Sequence, residues 1–227
     1  NGRIFLNTGF QLYAYHPREE KITCVLPEIS PGNAFYAQCH IAPDNNLWVM
    51  TSTGLRCYDP STLQLKESVA LSGYPYYSYL HNNELWITGN HTLSIFDTRT
   101  HSFKPLPQPI AHNTTLCNAD IDYIHPYGNN GLLLNTARHG MFYYNPGTGS
   151  VTRQDENGFP FEMPRFRISR MFTDSQQNLW IGSVDQGYTV CYHYKERFNN
   201  DNYLRSELNN KSVVSLSAGK DHKLWIS

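Results

Sequence analysis

Charge is scarce in this chain: 16% of its 227 residues are charged, and 18 Lys and Arg nearly cancel 19 Asp and Glu, for a formal net charge of −1. No run of Lys or Arg occurs anywhere, so the basic stripe that a phosphate backbone requires is missing and nucleic acid is not expected as a partner. Long apolar runs are missing too. No stretch approaches the roughly 18 residues of a membrane span, and no positive start leads into an apolar signal core. The five cysteines (Cys24, Cys39, Cys57, Cys117, Cys191) are odd in number and scattered, with no C-x-x-C and no His pair at finger spacing, which disfavours a disulfide framework and a structural zinc. Ten His are dispersed without metal-binding spacing, and neither a G-x-S-x-G elbow nor a phosphate loop occurs, so no metal, no cofactor and no catalytic residue is assigned.

Methionine is rare at 4 residues, whereas 16 Tyr and 11 Phe bring the aromatic fraction to 14%. Flat side chains pack well on a pleated surface, so this balance favours sheet over helix. The strongest positive signal is repetition. A short apolar unit recurs at Ile4-Phe5-Leu6-Asn7-Thr8, Leu47-Trp48-Val49-Met50-Thr51, Leu85-Trp86-Ile87-Thr88, Leu132-Leu133-Leu134-Asn135-Thr136, Leu179-Trp180-Ile181-Gly182-Ser183 and Leu224-Trp225-Ile226-Ser227, with spacings of 43, 38, 47, 47 and 45 residues. Such periods belong to propeller blades or helical solenoids, and what fills each period decides between them.

Each unit is preceded by a polar tight turn, such as Asp44-Asn45-Asn46 or Gly128-Asn129-Asn130, and by another apolar run, such as Tyr76 to Leu80 or Ile168 to Phe172. A second strand follows, as in Gly54-Leu55-Arg56-Cys57-Tyr58-Asp59-Pro60 and Gly140-Met141-Phe142-Tyr143-Tyr144-Asn145-Pro146. Asp or Asn with Pro, Thr or Gly then reverses the chain, and a shorter fourth run completes the set. Four hairpin-linked strands per period without a helical stripe predict an all-β fold, a β-propeller of four-stranded antiparallel blades. With strands lettered A to D from the axis outward, the Leu-Trp unit is strand B. About five blades' worth of chain is present, near 1–30, 36–71, 76–106, 120–153, 167–199 and 212–227. Both termini supply a B strand, so the expectation is a piece of a larger, seven-bladed propeller, excised from its parent and self-associating through exposed edges.

The units resemble the two-component regulator propeller repeat, which runs Asp, a short turn, Leu-Trp-Ile-Gly-Thr, then Gly-Leu, an aromatic and Asp-Pro. Asp44 to Thr51 with Gly54-Leu55 and Tyr58-Asp59-Pro60 matches nearly throughout; Asp174 to Ser183 with Gly187 is a second copy and Asp221 to Ile226 a third. Leu133 at the Trp position and Thr92 at the Gly position depart from it. The resemblance implies the periplasmic sensor region of a bacterial hybrid two-component histidine kinase. It implies a membrane-anchored, homodimeric parent whose catalytic part lies outside this chain, and a ligand such as an oligosaccharide. On that reading the chain itself is not an enzyme. Two rivals stand beside it: a propeller lyase or glycosidase, and a protein-interaction scaffold.

Candidate residues divide by position. Trp48, Trp86, Trp180 and Trp225 share one place in strand B and are expected to fill the space between blades rather than to stack on sugars; Cys57 is expected in the core. Asp120 and Asp122, two apart on strand A, would face one side at about 6.6 Å and so offer paired carboxylates to the enzyme reading, with Arg138 and His139 nearby. The expected ligand rim is the end of the propeller carrying the B–C and D–A loops. It comprises Thr53, His91, Arg138, His139, Asp185 and Gln186 from the first set, and Tyr74, Tyr76, Arg165 and Arg167, with His112 and Asn113, from the second. Asn90, Asn113 and Asn210 lie in glycosylation sequons, read as ordinary loop residues in a bacterial protein.

Overall fold

The structure, a computed structural model, describes residues 2–8, 11–26, 38–128, 130–163 and 168–192, together with the backbone of 216–218 and 224–226. The chain is a β-propeller. Blade I holds β1 (Ile4–Asn7), β2 (Leu12–His16) and β3 (Lys21–Leu26). Blade II holds β4 (Gln38–Ile41), β5 (Leu47–Thr51), β6 (Gly54–Tyr58) and β7 (Leu65–Ala70). Blade III holds β8 (Pro75–His81), β9 (Glu84–Gly89), β10 (Thr92–Asp97) and β11 (Ser102–Lys104). After two short helical turns, α1 (Gln108–Ala111) and α2 (Thr114–Cys117), blade IV is built from β12 (Ile121–Tyr127), β13 (Gly131–Thr136), β14 (Gly140–Asn145) and β15 (Ser150–Arg153). Blade V holds β16 (Ile168–Thr173), β17 (Leu179–Ser183) and β18 (Tyr188–Cys191), and β19 (Leu216–Ala218) pairs with β20 (Leu224–Ile226) beyond it.

Within every blade, sequence neighbours are sheet neighbours and all pairings are antiparallel. The turns explain this local order. At the A–B hairpins Asn45, Asn82, Asn130 and Gln177 adopt positive φ, between 55° and 66°, a region that Asn tolerates better than most residues. At the C–D hairpins the side chains of Asp59, Asp97 and Asn145 each accept two backbone N–H groups from the next three residues, closing the turn from within. At the B–C hairpins the hydroxyls of Thr51, Thr136 and Ser183, the last residues of their B strands, accept from the backbone of Thr53, His139 and Gln186. In blades II, IV and V the Thr or Ser that ends the unit is therefore a turn closer, whereas Thr88 of blade III donates to the Tyr77 carbonyl oxygen of strand A.

In blades II, III and IV strand B is almost wholly buried, because neighbouring blades cover both of its faces, and all five residues of β5 are inaccessible; β1 and β17 are partly exposed. The core is accordingly a series of clusters between adjacent blades. Trp48, Met50, Leu55 and Cys57 of blade II pack against Leu85, Ile87 and Phe96 of blade III; Trp86 and Ile95 of blade III pack against Ile124, Leu132, Phe142 and Tyr144 of blade IV. The helical turns between β11 and β12 depart from an all-strand reading of this connection. They let Ile110 and Leu116, both inaccessible, plug the same cluster, and Asn113 caps the second turn by accepting from Leu116 N at 2.9 Å.

Candidate functional site

Strand polarity places the B–C and D–A connections at one end of the blades and the A–B and C–D turns at the other. At the first end, the structure brings some of the sequence-derived candidates into contact. The backbone N–H of His91 donates to Asp120 Oδ1 at 3.1 Å, and its Nδ1 donates to the Asn118 carbonyl oxygen at 2.9 Å and lies 3.4 Å from Asp120 Oδ1. His91 and Asp120 thus clip the B–C turn of blade III to the entry of blade IV. Tyr74 and Tyr76, 43% and 38% exposed, stand with ring centroids 6.2 Å apart beside that clip, where Asn90 N donates to the Tyr74 carbonyl oxygen. Thr53, Arg138, His139, Asp185 and Gln186 are exposed residues of the B–C turns, and the N–H groups of Thr53, His139 and Gln186 donate to the closers described above. Arg165 and Arg167 lie outside the described residues. Asn113 caps a helical turn, and His112, beside it, is exposed.

The regular alternation on which the expected pairing of Asp120 with Asp122 rests is interrupted. β12 starts at Ile121, so Asp120 precedes the strand, and the register shifts between Ile121 and Tyr123, leaving Asp122 on a bulge. A bulge inserts one residue and breaks the two-residue alternation on which the pairing depends. Tyr76 in β8 and Ser169 in β16 occupy the same bulge in their blades, so the irregularity is part of the blade plan.

Along the axis, strand A carries a polar seam between blades. Gln38 Oε1 accepts from Ser78 Oγ at 3.0 Å, and His40 Nε2 pairs with Ser78 Oγ at 2.9 Å. Tyr77 OH donates to the Ile124 carbonyl oxygen, Tyr123 OH donates to that of Met171 at 3.3 Å, and His125 Nε2 pairs with Thr173 Oγ1 at 2.8 Å. Burial lowers both imidazoles to about 4, the bond to Ser78 offsetting part of the effect at His40, so both are neutral at pH 7.

At the opposite end, sequence reasoning missed a recess of roughly 460 Å³ between blades III and IV. Its walls come from the A–B turns (His81, Asn82, Asn83, Asn130), from the C–D turns (Asp97, Arg99, Pro146) and from Trp86, Lys104 and Tyr144 beneath them. Lys104 Nζ donates to Glu84 Oε1 at 2.6 Å and lies 3.8 Å from Asp97 Oδ2. The bond to Glu84 is the main reason the Lys104 ammonium is held above its ordinary value. Burial would raise the Asp97 carboxyl, but the N–H groups of Arg99 and Thr100 and the charges of Arg99 and Lys104 together hold it below the usual range. No single repeat signals this recess, because its residues belong to two blades and to turns that look structural one at a time. Among the described residues no group of three His, Cys, Asp or Glu is placed to hold a metal, and no helix is long and apolar enough to cross a membrane.

The architecture defines the class, a β-propeller of antiparallel meander blades. No protein-family model matches the chain, and no curated protein matches it significantly. Among solved structures, the chain is similar over 100% of its length to the extracellular domain of the BT4673 regulatory system of B. thetaiotaomicron, with TM-score 0.64 and 20% identity, covering 31% of that chain. It is likewise similar to the extracellular domain of the hybrid two-component system BT3049 of that organism, with TM-score 0.59 and 18% identity, covering 30% of that chain. The WD40 β-propeller domain of Doa1 matches 88% of this chain at 9% identity and TM-score 0.60, covering 63% of its own length. These likenesses establish the fold; the chain spans about a third of the length of the two B. thetaiotaomicron domains.

Proposed function

We propose that this chain is part of the extracytoplasmic sensor region of a hybrid two-component signalling protein, where it helps to recognise a ligand and passes the signal to a kinase encoded outside these residues. The observation that carries the reading is the full-length likeness to extracellular domains of bacterial regulatory systems, joined to the Asp-turn-Leu-Trp repeats at Asp44 and Asp174. A propeller suits the task physically. Each blade is a rigid sheet, and its loops converge at two ends, so a ligand can bridge elements far apart in sequence. Signalling then requires that the ligand bind one arrangement of the parent better than another. A periplasmic location, a membrane anchor and a paired parent belong to the same proposal.

In the enzyme reading Asp120 would have to act while accepting the His91 N–H, and Asp122 lies on a bulge. The test is a thermal-shift screen of the chain against neutral and acidic oligosaccharides, with chromatography of the same wells. A ligand that binds only the folded state raises the melting temperature by mass action. A rise with the sugar intact is the expected result. Cleaved sugar would replace the sensor with an enzyme, and no rise across the panel would overturn carbohydrate sensing by this chain and turn attention to protein partners.

A further inference from the structure

We infer that the recess between blades III and IV is a binding site for an uncharged, polyhydroxylated ligand of one or two sugar rings, held above Trp86. The inference rests on the ligand-sensing reading above and gives it a site.

The first observation compares two neighbouring interfaces. The C–D turns of blades III and IV follow one plan: Asp97 and Asn145 each accept two turn N–H groups, and Thr100–Ser102 and Thr148–Ser150 each make a hydroxyl pair at 2.8 Å. The fifth residue of each turn is left-handed: His101 at φ 54° in blade III and Gly149 at φ 62° in blade IV, with Leu63 at 61° in blade II and Glu20 at 50° in blade I. Between blades II and III, His101 uses this position to reach back over the preceding blade. Its ring stands edge-on to Trp48 at 5.1 Å and 84°, and its Nδ1 is bonded to Glu67 at 2.5 Å. Between blades III and IV the floor is repeated, Trp86 against Tyr144 at 6.1 Å where Trp48 meets Phe96 at 4.9 Å. The cover is not. Gly149 stands where His101 would be, and a Cβ built on it meets no atom within 4 Å. The recess lies at the interface whose turn has lost its side chain.

The second observation is the chemistry of the walls. Trp86 forms the floor of the recess and is 2% exposed, and its indole N–H, like that of Trp48 beneath His101, has no hydrogen-bond partner. Around it, the charges of Glu84 and Asp97 are balanced by those of Arg99 and Lys104, while Asn82 and Asn130 supply amides that both donate and accept. Hydroxyl groups, which also do both, complement such a wall better than a net charge does. Pro107 and Pro146 offer apolar surface to C–H groups. The volume falls in the range of small-ligand pockets.

The test uses the whole 227-residue chain, with maltose, cellobiose and lactose as neutral probes and digalacturonic acid as the acidic one, read by the indole N–H resonances in nitrogen-15 spectra. Trp86→Phe, which keeps a ring and removes the N–H, assigns the Trp86 resonance by its disappearance. At least one neutral probe is expected to move that resonance, and Gly149→His, which supplies the cover that His101 gives its own interface, is expected to weaken binding about tenfold or more. His at position 101 already tolerates the required backbone, and a melting curve verifies that the variant folds. Arg99→Ala, on an exposed turn, is a second variant with the same expectation should Gly149→His fail to fold. The inference is overturned if no neutral probe moves the Trp86 resonance, if only the acidic probe does, or if Gly149→His and Arg99→Ala bind as the parent does. A sugar that raises the melting temperature without touching Trp86 would sink the recess and leave the sensing reading standing; no response of the melting temperature to any sugar would sink both.

Discussion

Single residues in this protein take their meaning from which side of a blade they occupy. Trp48 is inaccessible between blades II and III, so Trp48→Ala removes its packing and opens a cavity; a loss of about 3–5 kcal/mol in urea-unfolding stability is expected. Trp180, in the same strand position, is 37% exposed and donates to Asp174 Oδ2 at 2.9 Å. Its replacement by Ala is expected to cost no more than about half as much, because less surface leaves the core. One motif letter thus carries two energies. Cys57 illustrates the same point for reactivity: desolvation raises its thiol to about 11, leaving it protonated at neutral pH, whereas Cys24 is exposed. Iodoacetamide is expected to label Cys24 in the native protein and Cys57 only after unfolding, with mass spectrometry of the digested chain as the readout. Equal native labelling of both would contradict the packing described.

At the scale of elements, the hairpins were largely legible in the sequence, because they are closed by side chains a few residues away. Asp44, Asp97 and Asn145 announce turns that the structure forms, and Thr51, Thr136 and Ser183, at the ends of their units, close the next ones. Glycine is required at Gly54, where φ is 153° and an added Cβ would sit 2.4 Å from the Val69 carbonyl oxygen. Gly54→Ala should therefore lower stability by at least about 2 kcal/mol in denaturant titration, through strain and a clash with backbone that cannot swing away. A neutral effect would mean that β7 can separate from β6 at no cost. The bulges at Tyr76, Asp122 and Ser169 were not legible, since no local residue demands them. They come from fitting strand A to its neighbours, and they break the alternation from which a carboxylate pair was inferred.

Across the whole molecule, the polar seam of strand A makes blade docking sensitive to acid. His40 and His125 have folded values near 4 against an ordinary 6.5, so between these limits the unfolded chain binds more protons than the folded one. Stability is therefore complete above about pH 6.5 and declines as pH falls toward 4, by up to about 3 kcal/mol for the well-buried His125. The melting temperature should follow that slope, and His125→Gln should flatten it; a flat profile in the parent protein would refute the buried, neutral imidazoles. Association belongs to this scale as well. Blade I exposes Ile4, Leu6 and Ile22 and blade V exposes Phe172 and Tyr188, and we propose that the chain self-associates through such surface. Sedimentation velocity over a concentration series should show mass above the monomer, and an invariant monomer peak would overturn this.

The sequence alone determined the repeat, the strand order within a blade and the turn chemistry, because each depends on residues within one period of some 45 positions. Only the tertiary structure decided which polar residues meet. His91 and Asp120 are 29 positions apart and in different blades, and the recess above Trp86 is walled by turns of two blades. Local interactions are written in adjacent letters, whereas a site between blades depends on register and on the facing turns, which only the packed sheets bring into contact.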